Sequence, residues 1–532
     1  MIWFFAISLG LTIFYYFRVK NEPLHPDSAE FIYAGMMQRL GRKKEYFQRK
    51  RGDVYQPESL DFGTFPPDPY SSISAEKEHI GSFPYYRDKQ FVWWFFEQLF
   101  HYCALSAKNF RIINSLLIFL TPNLFFLMVS PFLELHRSVI LAVLLQMTFM
   151  LPHFDYYQIH AEQWGVLLLL LAALLLDYFP VSFWASVVYG GIIVFVFLFI
   201  KITFAPTLVL FFLAPLFVFT QTDYFLVPAI SVFMFLVFFL IIFSVTGRLK
   251  PLLWTLSPRH LLKYKQGAST SRSHEQRSTQ FSFSRFLLNY GFEILLGLLF
   301  IGNILLNWQL SGKNLFYLLW VTTALIEILV QGKMYPSHLL LLIVPSFYLL
   351  SIKNNYFSWL IYAGIVLLWL RYFGQFNRSL MESYGQKSQN PFLVVMNKYD
   401  EVAAYIATHT SKKESITCIG YISPVYVLSN RLSALGFFEA GVTTEPVDLD
   451  KKYGVKWHWW LLLAIMEEQP KFIIDARNII NIDEFYGSTG IELIADFFAD
   501  EITVYRPLYR NQFCHPGNLG EKIFYDSYGG QQ

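Results

Sequence analysis

Cysteine is almost missing from this 532-residue chain: Cys103, Cys418 and Cys514 are the only three, and no two are closely spaced. That excludes a disulfide scaffold, and no Cys/His cluster has the spacing of a metal site. A Cys418–Cys514 pair stays open if the C-terminal region is exported. Charge is scarce too. Asp, Glu, Lys and Arg make up 15% of the residues and leave a net +3, with no basic-aromatic clustering to suggest nucleic acid as a partner. The N-terminus has neither a basic leader region nor a small-residue cleavage site, so its first apolar segment reads as a retained helix. No internal repeat is visible.

What is present is apolar surface. Hydrophobic residues reach 54% and aromatic ones 19%, with a mean hydropathy of +0.37, too apolar for a soluble enzyme of this size. The Tyr and Trp residues suit interfacial belts, and the many Phe residues suit helix packing and lipid-facing surface. Apolar runs near 1–17, 109–130, 137–152, 163–179, 182–200, 202–220, 224–246, 286–307, 314–331, 337–351 and 356–373 predict a polytopic α-helical membrane protein with about eleven spans. A further apolar run, 91–105, carries Glu97 and His101 four residues apart on one helical face, which predicts an interfacial or re-entrant helix.

Three stretches are polar: 18–90, rich in Pro, Lys and Arg; 247–285, with eight Lys/Arg, one Glu and a Ser/Thr/Gln-rich centre; and 390–532, of ordinary globular composition. The expected organisation is a transmembrane domain over 1–389, holding a long first loop (18–108) and the basic loop 247–285, and a soluble α/β domain over 390–532. In that domain Tyr399–Thr408 reads as a helix, and Ser415–Gly420, Pro424–Leu428 and Phe472–Asp475 read as strands. Threading the spans puts 18–108, 153–162, Lys201, 247–285, 332–336 and the C-terminal domain on one face of the membrane. Counting Lys and Arg alone would make that face cytoplasmic.

The polar residues at the span ends carry the chemistry. His25-Pro26-Asp27-Ser28-Ala29-Glu30 follows the first span, and a carboxylate at a bilayer boundary is costly unless solvated or paired. Asp27 with Glu30 also makes a D-x-x-E capping pattern for a helix over Ser28–Leu40, closed by Gly41; a general base and a helix cap are compatible roles. Tyr85-Tyr86-Arg87-Asp88-Lys89 and Trp93 precede Arg111 at the start of the second span, where cations either snorkel or meet anionic headgroups. His160 and Glu162 open the fourth span, where an anion also suits a helix N-terminus. Lys201 stands alone between two apolar runs, and Lys333-Met334-Tyr335-Pro336-Ser337-His338 enters a late span.

The order Asp27, Asp88-Lys89, Arg111, Glu162, Lys201, Lys333 to His338, with Pro345 beyond, resembles the GT-C membrane glycosyltransferases of the protein O-mannosyltransferase and aminoarabinose-transferase superfamily. The resemblance covers most of residues 1–350, and the tail looks like the soluble domain of bacterial members. Ser28 stands where those proteins carry a second acidic residue, Gln90-Phe91 where they carry Pro-Pro, Glu162 where Asp is commoner, and Ile202 where Gly follows the Lys.

The resemblance implies inverting transfer of one sugar from a polyprenyl-phosphate donor to a protein, lipid or polysaccharide acceptor on the exoplasmic or periplasmic side of a cell membrane. On that reading Asp27 and Glu162 are catalytic, and Lys89, Arg87, Lys201 and His338 offset the donor phosphate. Asp88, Tyr85, Trp93, His160 and Tyr335 contact sugar or acceptor. No metal is required, although an acidic pair such as Asp27 and Glu162 could bind a divalent ion if close. Two rival readings are a flippase of lipid-linked sugars, which the absence of repeats and of mid-membrane polar breaks disfavours, and a polysaccharide polymerase.

Overall fold

The computed structural model describes residues 2–39, 90–103, 109–151, 156, 158–180, 182–219, 223–245, 311–331, 336–352, 356–373, 398–419, 422–433, 470–476, 491–497 and 502–507, with isolated positions at 249, 253 and 302. The helices in chain order are α1 (Ile2–Val19), α2 (Pro26–Arg39), α3 (Gln90–Tyr102), α4 (Arg111–Val129), α5 (Leu135–Phe149), α6 (Ala161–Leu176) and α7 (Phe183–Phe195). The last runs into a π turn (Val196–Ile200) and, after Lys201, a 3-10 turn (Ile202–Phe204). Then come α8 (Ala205–Val218), α9 (Asp223–Val245), α10 (Gly312–Gln331), a second 3-10 turn (Pro336–Leu339), α11 (Leu340–Ser351) and α12 (Tyr356–Phe373). The C-terminal part holds α13 (Tyr399–His409), β1 (Ser415–Ile419), α14 (Pro424–Ser429), β2 (Leu432–Ser433), β3 (Phe472–Ala476), β4 (Ile491–Phe497) and β5 (Ile502–Pro507).

The chain divides into two compact units. One comprises Met1–Glu22, Tyr85–Val92 and Lys108–Leu380; the other comprises Pro23–Pro84, Trp93–Ala107 and Met381–Gln532. The first unit is a helical bundle. Among the described residues, four helices, Ile2–Val19, Arg111–Val129, Phe183–Ile200 and Tyr224–Val245, are long and apolar enough to cross a membrane, and five shorter apolar helices accompany them. These are the marks of a membrane-embedded helical protein. Nearly all of the expected span 286–307 and of the basic loop 247–285 lies outside the described residues.

Lipid tails give apolar helices no reason to prefer one another, so the bundle uses close approach and hydrogen bonds. Gly190 on α7 lets α9 come so near that a Cβ there would stand 2.7 Å from the Ser231 side chain. A neutral polar ladder ties α1 to α4 and α5. Gln146 Nε2 donates to the Ser8 carbonyl and to Thr12 Oγ1, both at 2.9 Å, and Asn123 Nδ2 donates to Ser8 Oγ at 3.1 Å. Phe4 stacks on Phe126 beside it. Arg111, fully buried at the start of α4, donates to the carbonyls of Lys20 (2.8 Å) and Glu22 (2.5 Å) and so holds the chain as it leaves α1.

The second unit contains a sheet of order β2-β1-β3-β5-β4. Strands β2, β1 and β3 are parallel, and β5 runs antiparallel to both its neighbours. Ile416, Thr417, Cys418 and Ile419 of β1 are all buried, as a parallel strand covered on both faces requires. Cys418 is a free thiol there, and Cys514 lies outside the described residues. Arg431 acts as the clasp. Its guanidinium donates to the carbonyls of Ala407 (3.0 Å), Thr410 (2.5 Å) and Ser429 (2.7 Å), satisfying the last turns of α13 and α14.

Two local readings are corrected. Pro424–Leu428 is not a strand but most of helix α14: Pro424 takes the first helical position, and Asn430 closes the helix in the left-handed region at φ 54°. Asp27 is not the cap of its helix. The helix begins at Pro26, two residues before the expected Ser28, and the Ala29 amide donates to the His25 carbonyl at 2.9 Å, which places Asp27 inside the first turn. Strands β2, β4 and β5 were not among the expected ones.

A pH dependence follows in the second unit. Hydrogen bonds from the Ser411 amide hold the Glu414 carboxylate below its ordinary 4.5, with Lys471 contributing at 3.4 Å. A lowered carboxylate stabilises the fold above its unfolded value and loses that contribution as pH falls through the folded one. The thermal stability of the domain should therefore fall as pH drops below about 4.5, and Glu414→Gln should flatten that part of the profile.

Candidate functional site

The site grows from the first turn of α6, where consecutive residues each do something different. Glu162 turns inward and is 3% exposed. Gln163 Nε2 donates back to the carbonyls of Tyr156 and Gln158, both at 2.8 Å, while Asn114 Nδ2 donates to Gln158 from α4 at 2.7 Å. These bonds fix the polypeptide entering the helix. Trp164 meets the ring of Phe91 edge-on at 5.3 Å, and Phe91 also packs on Phe195 of α7. Gly165 leaves room for the Phe204 ring: a Cβ there would lie 2.2 Å from it.

The π turn Val196–Ile200 closes with the Lys201 amide donating to the Val196 carbonyl at 3.1 Å, and Lys201 itself has extended backbone before the 3-10 turn resumes. Between apolar helices, irregular backbone is tolerated where protein buries it or where it lines a water-filled cavity. Lys201 is 6% exposed, and its Nζ donates to Glu162 Oε1 at 2.5 Å. From the 3-10 turn ahead of α11, His338 Nε2 approaches the same oxygen at 3.3 Å and is 7% exposed. One carboxylate oxygen thus gathers an ammonium and an imidazole in a site nearly closed to solvent.

A second buried carboxylate was not singled out from the sequence. Glu327, near the C-terminal end of α10, is 1% exposed, and its Oε1 accepts the Thr207 amide at 2.9 Å, capping α8 from another helix. Thr207 and Thr323 hydroxyls lie 3.1 Å apart alongside. Glu327 Oε2 is buried with no hydrogen-bond partner among the described residues. The sequence signal was there: one acidic residue in a run of otherwise apolar and hydroxyl side chains is expensive unless it has a task.

Of the residues expected to act, Glu162, Lys201 and His338 are therefore neighbours. Lys201, implied as a phosphate ligand, is the ion-pair partner of Glu162, so any anion it meets must share it. His160 is the residue ahead of α6, half-buried, its amide 3.5 Å from Gln163 Oε1. Asp27 and Trp93 have described backbones in α2 and α3, but their side chains, and all of Tyr85, Arg87, Asp88, Lys89 and Tyr335, lie outside the described residues. Arg111 carries structure rather than chemistry in the bonds described above. Among the described residues, no group of three or more His, Cys, Asp or Glu side chains is gathered to hold a metal ion.

No family model and no curated protein matches the chain.

The buried pair predicts a strongly non-additive mutant cycle. Lys201→Met strands the Glu162 carboxylate and should cost about 3–5 kcal/mol, whereas Glu162→Gln/Lys201→Met should recover most of that loss. Thermal unfolding in detergent reads both; additive costs would mean the two groups are not coupled. Glu327→Gln retains an acceptor for the Thr207 amide and should be milder than Glu327→Ala, which leaves that donor without one at about 1–3 kcal/mol.

Proposed function

We propose that this protein is an inverting glycosyltransferase of the membrane, moving one sugar from a polyprenyl-phosphate donor to an acceptor on the exoplasmic face, through a bundle of about eleven spans. The observation that carries the reading is the buried cluster of Glu162, Lys201 and His338 at one end of the apolar helices. An ammonium and an imidazole held side by side at a membrane boundary suit a group that arrives anionic and lipid-borne, and a sugar phosphate on a prenyl chain is such a group.

In the transfer, the bond from the anomeric carbon to the phosphate oxygen breaks and its electron pair leaves on the phosphate. The acceptor oxygen bonds to the opposite face of that carbon and gives up its proton. Positive charge gathers at the sugar and negative charge at the leaving oxygen. Preorganised donors are most effective where charge develops, since a dry site needs little reorganisation. Lys201 and His338 are the described groups for the phosphate, with Arg87 and Lys89 completing the set in this reading. Glu162 holds the two donors in place and keeps the cluster from binding anions indiscriminately. Asp27 takes the acceptor proton, and a carboxylate in the first turn of a helix is kept ionised by the amides around it. Tyr85, Trp93, Asp88, His160 and Tyr335 line the sugar or acceptor path.

The roles separate kinetically. Asp27→Asn should lower kcat by about 100-fold or more, the usual scale for a general base, with donor affinity little changed. Replacing Lys201 together with Lys89 should instead weaken donor binding. Full transfer by Asp27→Asn in reconstituted membranes would exclude the base assignment. Sidedness is read from single cysteines placed at positions 60 and 500: both should react with an impermeant reagent on intact cells.

A further inference from the structure

Helix α2, which carries Asp27, belongs to the same compact unit as the C-terminal sheet and not to the bundle. Its buried side is broad: Ser28, Ala29, Phe31, Ile32, Tyr33 and Met36 are each 3% exposed or less. On one flank it meets α3, where Phe31 packs against Phe96 at 6.4 Å and Gly35 lies so close that a Cβ would stand 2.5 Å from the Glu97 carbonyl oxygen. On the other it meets the edge of the sheet. The phenol oxygen of Tyr33 accepts the backbone N–H of Ser433 in β2 at 2.7 Å, some 400 residues away in the chain.

A two-residue edge strand cannot satisfy its outward N–H within the sheet, and leaving it bare invites fraying or mispairing. Tyr33 supplies the acceptor. Directly behind it, the ring of Tyr426 lies 6.0 Å from that of Tyr33, and its phenol oxygen accepts the Cys418 amide of β1 at 2.6 Å. Two tyrosines, one from the first loop and one from the soluble domain, thus seat backbone donors of adjacent strands. Asp27 precedes Tyr33 by six positions, about 9 Å along the helix axis.

We propose that the C-terminal domain is the positioning element for the Asp27 helix and that Tyr33 is the positioning residue through which it acts. This rests on the reading of Asp27 as the general base, but the mechanical half of it does not. The soluble domain then has a duty in the transfer itself: it fixes the angle and the lifetime of the turn that presents the carboxylate. Loosening the sheet edge would lower the rate without touching donor affinity.

The test uses the full-length protein in nanodiscs with two substitutions, Tyr33→Phe, which keeps the ring and deletes the acceptor, and Gly35→Ala, which crowds the Glu97 carbonyl. Hydrogen exchange of segment 26–39 is measured alongside kcat, donor KM and the pH–rate profile. Tyr33→Phe should accelerate exchange of the α2 amides by about tenfold, the scale of one orphaned buried donor. It should lower kcat by about the same factor and leave donor KM within about twofold. Unchanged α2 exchange in both variants overturns the proposal, and so does faster exchange with an unchanged kcat. If Asp27→Asn keeps full transfer, the base reading alone has failed, and the exchange measurement still decides whether the domain holds the helix.

Discussion

A carboxylate with almost no water to solvate it is the constraint around which the bundle is arranged. Lys201 and His338 reach the same oxygen of Glu162, and attraction in a low-dielectric setting is far larger than at a surface. Each neighbouring irregularity has its reason there. Gly165 lacks a side chain where the Phe204 ring lies, and Phe204 ends the 3-10 turn that follows Lys201. Gln163 and Asn114 secure the approach from the other side, and Glu327 caps the helix that departs from it. Taking one charge away would leave the rest organised around an unpaired ion.

Polar contacts are divided by kind along the bundle. Neutral amides and hydroxyls, Ser8, Thr12, Asn123 and Gln146, do the joining inside the apolar layer, where they need no counter-charge. Charged groups stand at helix ends. Glu162 opens α6 and Asp177 closes it, the latter paired with Lys313 at 2.5 Å and partly exposed. Fifteen residues at about 1.5 Å each separate the two pairs by roughly 22 Å. The solvated pair contributes little energy. The dry pair is different: removing one partner would leave the other charge buried and uncompensated.

Much of this was legible in the sequence, because membrane helices advertise themselves by length and by the polar residues that interrupt them. Lys201 between two apolar runs, Glu162 at the start of one and His338 at the start of another pointed to one end of the bundle, and those side chains do meet. Contacts that depend on shape were not legible. Nothing in the spacing of Gly165 and Phe204 announces that one makes room for the other. Pro424-Val425-Tyr426-Val427 has the β-branched composition of a strand, yet Pro at the first position and the left-handed Asn430 turn it into a helix. Asp27 had the look of a cap until Pro26 was seen to begin the helix. The kinship of α2 with the C-terminal sheet joins Tyr33 to Ser433, and no local pattern spans that separation.

The π turn at Val196–Ile200 leaves the chain with a surplus residue. Its backbone bond spans five positions where an α-helix spans four. A helix advances about 100° per residue, so absorbing that surplus into regular winding would swing everything beyond it by nearly a third of a revolution. Lys201 would then face a different neighbour. The turn works as a phase shifter between two stretches of membrane helix: α7 keeps the rotation its packing on α9 demands, while the lysine keeps the rotation its partner demands. In this stretch a one-residue insertion or deletion is a graver change than most substitutions, because it alters no chemical group and yet misdirects the charge.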